Sequence, residues 1–209
     1  MAGRPLIAYT TDAALASREL TRVVVSTDDD EIATLAAQLG VDIPFLRPPR
    51  LAADDTPMLD VLTDLVGTLQ EREGYRPDVL VLLQPTSPFR RAEHIDAAIR
   101  LLVSSGADSV VTVTSVPHQF TPSSIMRLEG DRLVPWMDGS APTRRQDKPV
   151  LFARNGPAVL AVRTVVVMDA NSLYGSDTRG LQMSRAESFD IDDALDLEVA
   201  GLLMAPRHA

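Results

Sequence analysis

Cysteine is absent from this sequence, and aromatic residues make up only 4% of it. Without cysteine the chain can form no disulfide, no thiolate zinc site and no cysteine nucleophile. Its apolar runs are far shorter than the ~20 residues that a membrane-spanning helix needs. The first residues do not follow the pattern of a signal peptide. We therefore expect a cytoplasmic protein with no membrane partner.

Histidine and basic residues are also scarce. Of the three histidines, His94 is predicted to be a surface residue of a helix and His208 a tail residue, while the role of His118 stays open. None belongs to a recognisable metal site or to a Ser/His/Asp arrangement. Asp and Glu number 29 against 20 Lys and Arg, which gives a net charge of −9. Because nucleic-acid binding depends on neutralising phosphates, we expect no nucleic-acid partner.

The sequence does contain a regular alternation of short apolar runs and helical patterns. Apolar runs predict strands at 23–26, 42–46, 78–83 and 108–116. A 3.6-residue periodicity predicts helices after Asp28, after Thr56, around 95–102 and from about Asp193. This alternation is typical of a three-layer α/β fold with a mostly parallel sheet. The last helix is predicted to bury Leu195, Val199, Leu202 and Leu203.

The alternation fails between about residues 117 and 150. This segment holds prolines, short apolar pieces and the basic cluster "TRRQDK". We interpret it as an excursion from the sheet, in the form of a two- or three-stranded arm. A chain of 209 residues otherwise suits a single domain.

The stretch "SFDIDD" carries two carboxylates that would share one face of an extended segment. Alternate residues of an extended chain point the same way, so Asp190 and Asp192 would lie opposite Phe189 and Ile191. Two carboxylates suit Mg²⁺, which proteins hold by one or two such groups together with substrate phosphates. The alternative is that Asp192 or Asp193 caps the following helix.

The stretch "LLQPTSPFRR" follows an apolar strand and changes abruptly to polar residues. The Gln84 amide offers two donors and an acceptor, which suits the edge of a nucleobase. Thr86 and Ser87 can donate to phosphate or ribose, or form a local turn. In open α/β sheets ligands bind outside the carboxyl ends of the strands. A pocket wall and a simple strand-to-helix connection both stay open here.

A basic cluster stands in the second half of the chain. Arg144, Arg145 and Lys148 lie close together, and Arg154 follows them. Arginine side chains match carboxylate and phosphate oxygens, so the cluster suits an anion, although a solvated surface is the alternative. The pair Asn155-Gly156 is also a hairpin-turn signal and could be purely structural.

Taken together, these motifs resemble those of a known family. "RVVVSTDDDEIA", "PFLRPPRLA", "VLLQPTSPFR", "RRQDKP", "ARNG" and "SFDIDDALDLEVA" occur here in the order and spacing of the acylneuraminate cytidylyltransferases, also called CMP-sialic acid synthetases. The resemblance runs from Gly3 to Met204. It implies a Rossmann-like nucleotidyltransferase that joins CTP to an acidic nine-carbon sugar and releases pyrophosphate.

The resemblance also implies a role for individual residues. Asp190 and Asp192 would hold Mg²⁺ on the triphosphate of CTP. The residues implied on the nucleotide side are Arg47, Gln84, Thr86 and Ser87. Those implied to face the sugar acid or the phosphates, as the catalytic group, are Arg145, Arg154 and Asn155. The arm at about 117–150 would resemble the dimerisation element of the family, so we expect a homodimer.

The sequence departs from the family pattern at its start and around the sugar. The family opens with a strand and a glycine-rich phosphate loop, and "MAGRPLIAYT" matches only the helix start that comes after them. We therefore expect a single domain over residues 1–209 that lacks this opening segment, and unpaired backbone groups between the strands at 23–26 and 78–83. Ala153 stands where relatives often carry a second basic residue. A legionaminic, pseudaminic or other nonulosonic acid is thus as plausible a substrate as N-acetylneuraminate.

Two other functions compete with this interpretation, and a third is excluded. A cytidylyltransferase for the eight-carbon acid KDO is a near alternative. A catalytically inactive homologue that acts as a binding or dimer partner is a second. A nicotinamide-dependent oxidoreductase is excluded, because no G-x-G-x-x-G motif follows a strand.

Overall fold

The structure is a computed structural model that describes residues 1, 3–137, 144 and 148–204. Six α-helices lie within these residues: α1 (Leu6–Leu15), α2 (Asp30–Gln38), α3 (Met58–Glu73), α4 (Ala92–Ser105), α5 (Thr164–Met168) and α6 (Ala194–Met204). The seven strands are β1 (Val79–Leu82), β2 (Ser109–Ser115), β3 (Met126–Glu129), β4 (Arg132–Pro135), β5 (Phe152–Arg154), β6 (Leu160–Arg163) and β7 (Thr178–Gln182). No helix of the described residues is long and apolar enough to cross a membrane.

The main sheet is built around β2. Strand β6 pairs with β2 and with β1, β5 pairs with β2 beyond the end of β6, and β7 pairs with β2. Within the described residues only the β2–β7 ladder is parallel, while β1–β6, β2–β5 and β2–β6 are antiparallel. The α/β class is present, but the predicted mostly parallel pairing is not confirmed. The reason is that the chain returns to β2 through β5 and β6 after the arm, without a crossover helix.

Strands β5 and β6 act as one strand with an interruption. Both are antiparallel to β2, with Arg154 opposite Val113 and Leu160 opposite Val111. Only Thr112 lies between these two partners, so residues 155–159 are extra chain that bulges from the ladder. Thr112 holds both ends of this bulge: its carbonyl accepts from the Asn155 amide, and its hydroxyl accepts from the Val159 amide at 2.9 Å. The Asn155-Gly156 pair therefore opens a bulge and does not form a hairpin turn.

Two predicted strands near the start of the chain do not form as strands. The segments 23–26 and 42–46 touch in a single parallel bridge between Val24 and Asp42. Among the described residues, β1 pairs with β6 along one edge and with no strand along the other. A strand needs a neighbour to satisfy its backbone groups, and in the described part of the chain segment 23–26 finds one only at Asp42.

Helices cover both faces of the sheet and produce the three predicted layers. On one face α1 and α4 pack on β2 and β6, and the predicted stripe of α4 is buried there. This stripe is Ile95, Ala98, Ile99 and Leu102. On the other face α3 and α5 pack on Val162 through Leu62, Val166 and Val167. The site loops lie at the strand ends between these two layers.

Helix α2 shows how the local sequence sets an element boundary. It begins after Asp29, whose Oδ1 accepts hydrogen bonds from the amides of Glu31 and Ile32 at 2.8 and 2.9 Å. The predicted cap, Asp28, is therefore one residue early. The carboxylate of Asp29 satisfies two amides that the first helical turn leaves unpaired.

Helix α6 forms where it is predicted, but its packing differs from the prediction. Leu195, Leu202 and Leu203 are exposed by 67%, 76% and 46%, Val199 is half-buried, and Ala200 is the buried residue of the helix. The apolar periodicity of the sequence identifies a helix. It does not show what covers the apolar side chains of that helix, and the described residues leave most of them exposed.

The segment from 117 to 137 leaves the main sheet. After a short 3₁₀ turn at His118–Phe120, β3 and β4 form a separate two-stranded antiparallel sheet. Leu128 and Leu133 face each other across this hairpin, as do Met126 and Pro135. All four side chains are exposed, so one face of the hairpin is apolar and uncovered among the described residues.

Candidate functional site

Two loops that are far apart in sequence meet at the ends of the strands. The Ser87 hydroxyl donates to Asp190 Oδ1 at 3.0 Å, across 103 positions of chain. The backbone repeats the contact, because the Ile191 amide donates to the Thr86 carbonyl at 2.9 Å. Phe89 and Phe189 add an edge-to-face ring contact at 6.2 Å between centroids. The "QPTSP" loop and the "DIDD" segment thus form one unit.

The bulge at 155–159 forms the third wall of this unit. Gly156 has a φ of +112°, and a Cβ at this position would lie 3.0 Å from Ser87 Oγ and 3.6 Å from Asp190 Oδ2. Glycine is therefore required by both the backbone angle and the close approach. We call Ser87, Asn155, Gly156, Ser188 and Asp190 the Ser87–Asp190 cluster.

Asn155 is buried inside this cluster. Its Nδ2 donates to Ser188 Oγ at 2.8 Å and contacts Met183 Sδ at 3.4 Å. Its Oδ1 is buried and has no hydrogen-bond partner among the described residues. A buried acceptor without a donor is costly, so this oxygen is a natural position for a donor from a ligand or from water.

Arg90 is a buried cation behind the same loop. Its guanidinium donates to the Gln84 carbonyl from both Nη1 (3.1 Å) and Nη2 (2.7 Å), and Nη2 also donates to Thr10 Oγ1 at 2.8 Å. Burial lowers the pKa of Arg90 to about 10, although the nearby Asp190 carboxylate opposes this shift. Arg90 remains charged at neutral pH, fixes the backbone of the loop and partly balances the charge of Asp190.

The structure separates the roles of the neighbouring aspartates. Asp193 Oδ1 accepts from the Asp196 amide at 2.9 Å, and Asp196 Oδ2 accepts from the amides of Asp192 and Asp193. This reciprocal arrangement caps α6. The Asp192 carboxylate is exposed and accepts no hydrogen bond from the described residues. Ile191, between Asp190 and Asp192, is buried, as the alternation of an extended segment predicts.

The donor set here fits Mg²⁺. Asp190 Oδ2 and both oxygens of Asp192 accept no hydrogen bond from the described residues, and carboxylate oxygens are hard ligands. Within the described part of the chain no group of three or more metal-ligating side chains gathers. Two carboxylates with the remaining positions left to phosphate and water match the usual way in which proteins hold this ion.

The other predicted site residues lie at various distances from the cluster. The Gln84 side chain is half-buried and forms no hydrogen bond with a described residue, so its amide is available. Arg47 is engaged elsewhere: its Nε donates to Ser26 Oγ at 3.2 Å and its Nη2 to the Ser26 carbonyl. Arg154 lies over the Tyr174 ring at 4.7 Å from its centroid. Arg145 lies outside the described residues.

An ion pair of Glu187, called here the Glu187 tether, links the chain next to the Ser87–Asp190 cluster to the start of α4. Glu187, next to Ser188, accepts from Arg91 Nη2 at 2.6 Å and lies 3.7 Å from His94 Nε2. A hydrogen bond from Ser184 lowers the pKa of Glu187, and burial lowers the pKa of His94. The His94 side chain is 13% exposed, which is less than the surface position predicted for it would give.

Sequence patterns missed Arg90 and the Glu187 tether. The "FRR" pair gave a weak signal for Arg90, because a bulky apolar residue beside an arginine at a strand-to-helix turn is compatible with burial. Arginine is nevertheless usually exposed, so the sequence favoured a surface role. Nothing in the sequence links Glu187 to α4, since that contact depends on the tertiary fold.

A comparison with protein families matches this architecture. The family model described as cytidylyltransferase aligns with residues 1–167. The chain belongs to the cytidylyltransferase family. The match includes the Gln84 loop and the bulge at 155–159, and it ends before Asp190.

Characterised relatives extend the similarity through the "DIDD" segment. The chain is 33% identical over 205 residues to a CMP-N,N'-diacetyllegionaminic acid synthase of Legionella pneumophila, which covers 98% of this chain and 87% of that relative. It is 30% identical over 198 residues to an N-acylneuraminate cytidylyltransferase of Escherichia coli, which covers 94% of this chain but 45% of that enzyme. The chain therefore spans about half the length of the second relative.

A solved structure confirms the fold. A CMP:2-keto-3-deoxy-manno-octonic acid synthetase in complex with CTP superposes with a TM-score of 0.68, over 97% of this chain and 88% of that one. Sequence identity is 17%. At this identity the likeness supports the nucleotidyltransferase architecture of the described residues and nothing finer.

Proposed function

We propose that this protein transfers CMP from CTP to the anomeric hydroxyl of an acidic nine-carbon sugar and releases pyrophosphate. The observation that carries the proposal is the junction of the Gln84 loop with Asp190 through Ser87. It joins an available amide, suited to a base, to a carboxylate pair suited to a metal-bound triphosphate. The names of the Legionella and Escherichia coli relatives support the same reaction.

In the proposed reaction the protein orients and supplies no nucleophile. The sugar hydroxyl attacks the α-phosphorus, the bond to the bridging oxygen breaks, pyrophosphate leaves and the hydroxyl proton passes to solvent. Catalysis then rests on holding the reactants in line and on balancing phosphate charge. Mg²⁺, held by Asp190 and Asp192, would supply part of that charge balance.

Individual residues have separate parts in this proposal. Ser87 fixes the side chain of Asp190 by its hydrogen bond, and Arg90 fixes the backbone carbonyl of Gln84, so that the Asp190 carboxylate and the backbone of the Gln84 loop are positioned before substrate binds. The free Gln84 amide is proposed to contact cytosine. Asn155 Oδ1 is buried and has no hydrogen-bond partner among the described residues. It is proposed to accept a hydrogen bond from a hydroxyl group of the sugar. Arg145 and Arg154 remain proposed contacts of the sugar acid or phosphates, and Arg47 a nucleotide contact after rearrangement.

We further propose a homodimer in which the hairpin of β3 and β4 contacts a second copy. A two-stranded hairpin is at best marginally stable alone in water. This one exposes Met126, Leu128 and Leu133, which would normally be covered. The cytoplasm is the proposed compartment, because CTP is available there.

An assay of substrates tests the proposed function. The full chain is incubated with CTP, Mg²⁺ and one of three acids: N-acetylneuraminate, N,N'-diacetyllegionaminate or KDO. We expect pyrophosphate release and a CMP-sugar product with at least one nine-carbon acid. Turnover of KDO alone would favour the eight-carbon alternative, and no turnover with any acid would contradict the proposed function.

A further inference from the structure

A buried cation without a carboxylate partner lies behind the Gln84 loop. Arg90 is 3% exposed, and none of the ion pairs among the described residues includes it. Its guanidinium donates to two neutral acceptors, the Gln84 carbonyl and the Thr10 hydroxyl. Its Nε is buried and has no hydrogen-bond partner among the described residues. Removing a charge from water is costly unless an opposite charge compensates for it.

The hydrogen bonds of Arg90 do not require a charged side chain. A neutral donor such as an amide would satisfy the carbonyl of Gln84 equally well, and it would avoid the cost of burying a charge. What arginine adds at this position is therefore its charge, which acts over a longer range than a hydrogen bond.

Asp190 is the carboxylate that this charge reaches. Arg90 and Ser87 belong to one turn, in which the Arg90 amide donates to the Ser87 carbonyl at 3.4 Å. The Ser87 hydroxyl in turn donates to Asp190 Oδ1 at 3.0 Å. Burial lowers the pKa of Arg90 to about 10, and the Asp190 carboxylate acts in the opposite direction. The guanidinium thus lies near a carboxylate that is proposed to hold Mg²⁺, but it forms no ion pair with it.

A cation in this position weakens the binding of a second cation. Asp190 and Asp192 carry two negative charges between them, and the charge of Arg90 opposes them from a buried position where solvent screens it little. The neighbouring Asp193 adds negative charge, but it is exposed, so solvent screens it more strongly. A nucleoside triphosphate brings several negative charges of its own. In its presence the binding of Mg²⁺ no longer depends on the two carboxylates alone.

We propose that Arg90 keeps the Asp190–Asp192 pair from binding a divalent cation in the absence of nucleotide, so that the two carboxylates take up Mg²⁺ together with a triphosphate. Arg90 acts through the charge of Asp190 and does not itself contact the ion, so it is a positioning residue. This role of Arg90 rests on the proposed function, because it takes Asp190 and Asp192 as the metal carboxylates.

Binding of Mn²⁺ alone to the nucleotide-free full chain tests this role. Mn²⁺ accepts the same oxygen ligands as Mg²⁺, and electron paramagnetic resonance measures the free ion. Arg90→Gln removes the charge but keeps a donor for the Gln84 carbonyl. We expect its dissociation constant for Mn²⁺ to be lower than that of the wild type by roughly tenfold or more, because a repulsion is lost. Disorder of the loop would weaken Mn²⁺ binding, so a gain in affinity distinguishes the effect of charge from a structural role.

Two variants control for the charge of the arginine. Arg90→Lys keeps the charge in a shorter side chain and should bind Mn²⁺ as the wild type does. Arg100→Gln is the matched control, since Arg100 lies on the same helix, is 58% exposed and pairs with Glu19. It should also leave the dissociation constant unchanged.

Two further variants locate the effect. Adding Asp192→Asn to Arg90→Gln should remove the gain in Mn²⁺ affinity. Thr10→Asp leaves Arg90 in place and gives its Nη2 a carboxylate partner, so it should also tighten Mn²⁺ binding. If Arg90→Gln loses the circular dichroism of the wild type, Thr10→Asp decides the outcome.

Three results would overturn the proposed role of Arg90. The first is Mn²⁺ binding that is unchanged or weaker in a folded Arg90→Gln, or in Thr10→Asp where that variant decides. The second is an equal gain in Arg100→Gln, which would show a general effect of net charge. The third is a gain that survives Asp192→Asn, which would place the ion elsewhere. None of these results needs turnover, so a chain that uses none of the sugar acids contradicts the proposed function while the Mn²⁺ titration still decides the role of Arg90.

Discussion

Asp190 has its two carboxylate oxygens in different environments. Oδ1 accepts from Ser87, while Oδ2 lies near the edge of the bulge at Gly156. The hydrogen bond holds the side chain in one orientation, so Oδ2 has a fixed direction before any ligand arrives. Asp192 is exposed and accepts no hydrogen bond from the described residues, so we expect its carboxylate to adjust to the Mg²⁺ ion proposed to bind at Asp190.

The first residue-scale prediction concerns the metal carboxylates. Asp192→Asn should abolish most Mg²⁺-dependent pyrophosphate release, because a neutral amide binds a hard cation far more weakly than a carboxylate. The matched control is Asp193→Asn, since asparagine caps a helix about as well as aspartate. Circular dichroism should be the same for both variants. Activity of Asp192→Asn close to that of the control would argue against the metal assignment.

The second residue-scale prediction concerns Gln84. The side-chain amide of Gln84 forms no hydrogen bond with a described residue, while Arg90 holds the backbone carbonyl of Gln84. Truncation to alanine therefore removes the proposed contact with the base without disturbing the loop. Gln84→Ala should raise KM for CTP by roughly tenfold, the expected effect of losing one or two hydrogen bonds to a base. Steady-state kinetics at saturating sugar measure this effect. Gln70→Ala, at an exposed position of α3, is the control, and equal KM values for the two variants would refute the base contact.

At the scale of elements, Asp96 joins α4 to the end of α1. It is 6% exposed, and its Oδ1 accepts from Ser17 Oγ at 2.5 Å and from the Arg18 amide at 3.0 Å. Burial alone would raise the pKa of Asp96, but these hydrogen bonds outweigh it and lower the pKa below its ordinary value. The contact thus stabilises the ionised form in the folded state.

The lowered pKa of Asp96 predicts how the free energy of unfolding depends on pH. Asp96→Asn should lower the free energy of unfolding at pH 7 by about 1–2 kcal/mol. A carboxyl group whose pKa is depressed by folding stabilises the protein above its unfolded pKa, and this contribution disappears as pH falls through the folded pKa. The difference between wild type and variant should therefore persist down to about pH 4 and shrink below it. Urea unfolding at several pH values measures this difference, with Glu71→Gln at an exposed position of α3 as control. A difference that stayed constant below pH 4 would contradict the linkage.

The elements differ in how well the sequence predicts them. Helix α4 is predictable because its buried stripe repeats at the helical period, and Gly106 follows its last residue in a left-handed conformation. Strand β7, "TRGLQ", contains one large apolar residue, so its sequence hardly indicates a strand. It forms a strand because it pairs with β2, which only the tertiary fold shows. Helix α6 shows an opposite limit, since its leucines predict burial that the described residues do not supply. Periodicity reports an apolar face and not what covers it.

The same limit applies to the candidate site. Residue types and the positions of strand ends marked Gln84, Ser87, Asp190 and Asp192 as candidates, with a local turn and a helix cap as open alternatives, and the family resemblance implied their roles. The hydrogen bond between Ser87 and Asp190 could not be foreseen from local rules, because 103 positions of chain separate them. The burial of Arg90 could not be foreseen either, since it depends on acceptors from Thr10 and Gln84 that only the tertiary fold brings together.

At the scale of the whole molecule, the arm predicts an assembly. Leu128 and Leu133 are opposite each other on one face of the hairpin and are exposed by 65% and 63%. Leu133→Glu should convert a dimer to a monomer, because the charge would be buried in an apolar contact. Val103→Glu on α4 is the control, since Val103 is also 63% exposed but lies outside the arm.

Sedimentation velocity over a range of concentrations distinguishes the two states. We expect wild type and Val103→Glu to share the sedimentation coefficient of a dimer and Leu133→Glu to sediment as a monomer. A monomeric wild type, or a dimeric Leu133→Glu, would show that the hairpin does not mediate assembly.

The bulge opposite Thr112 separates two requirements that proteins usually have to meet together. Strand pairing is present on both sides of it, with β5 before it and β6 after it in register with β2. These two strands maintain the sheet, and the extra residues between them bring Gly156 close to Ser87 and Asp190. The continuity of the sheet and the shape of the cluster are therefore assigned to different residues of one short stretch of chain.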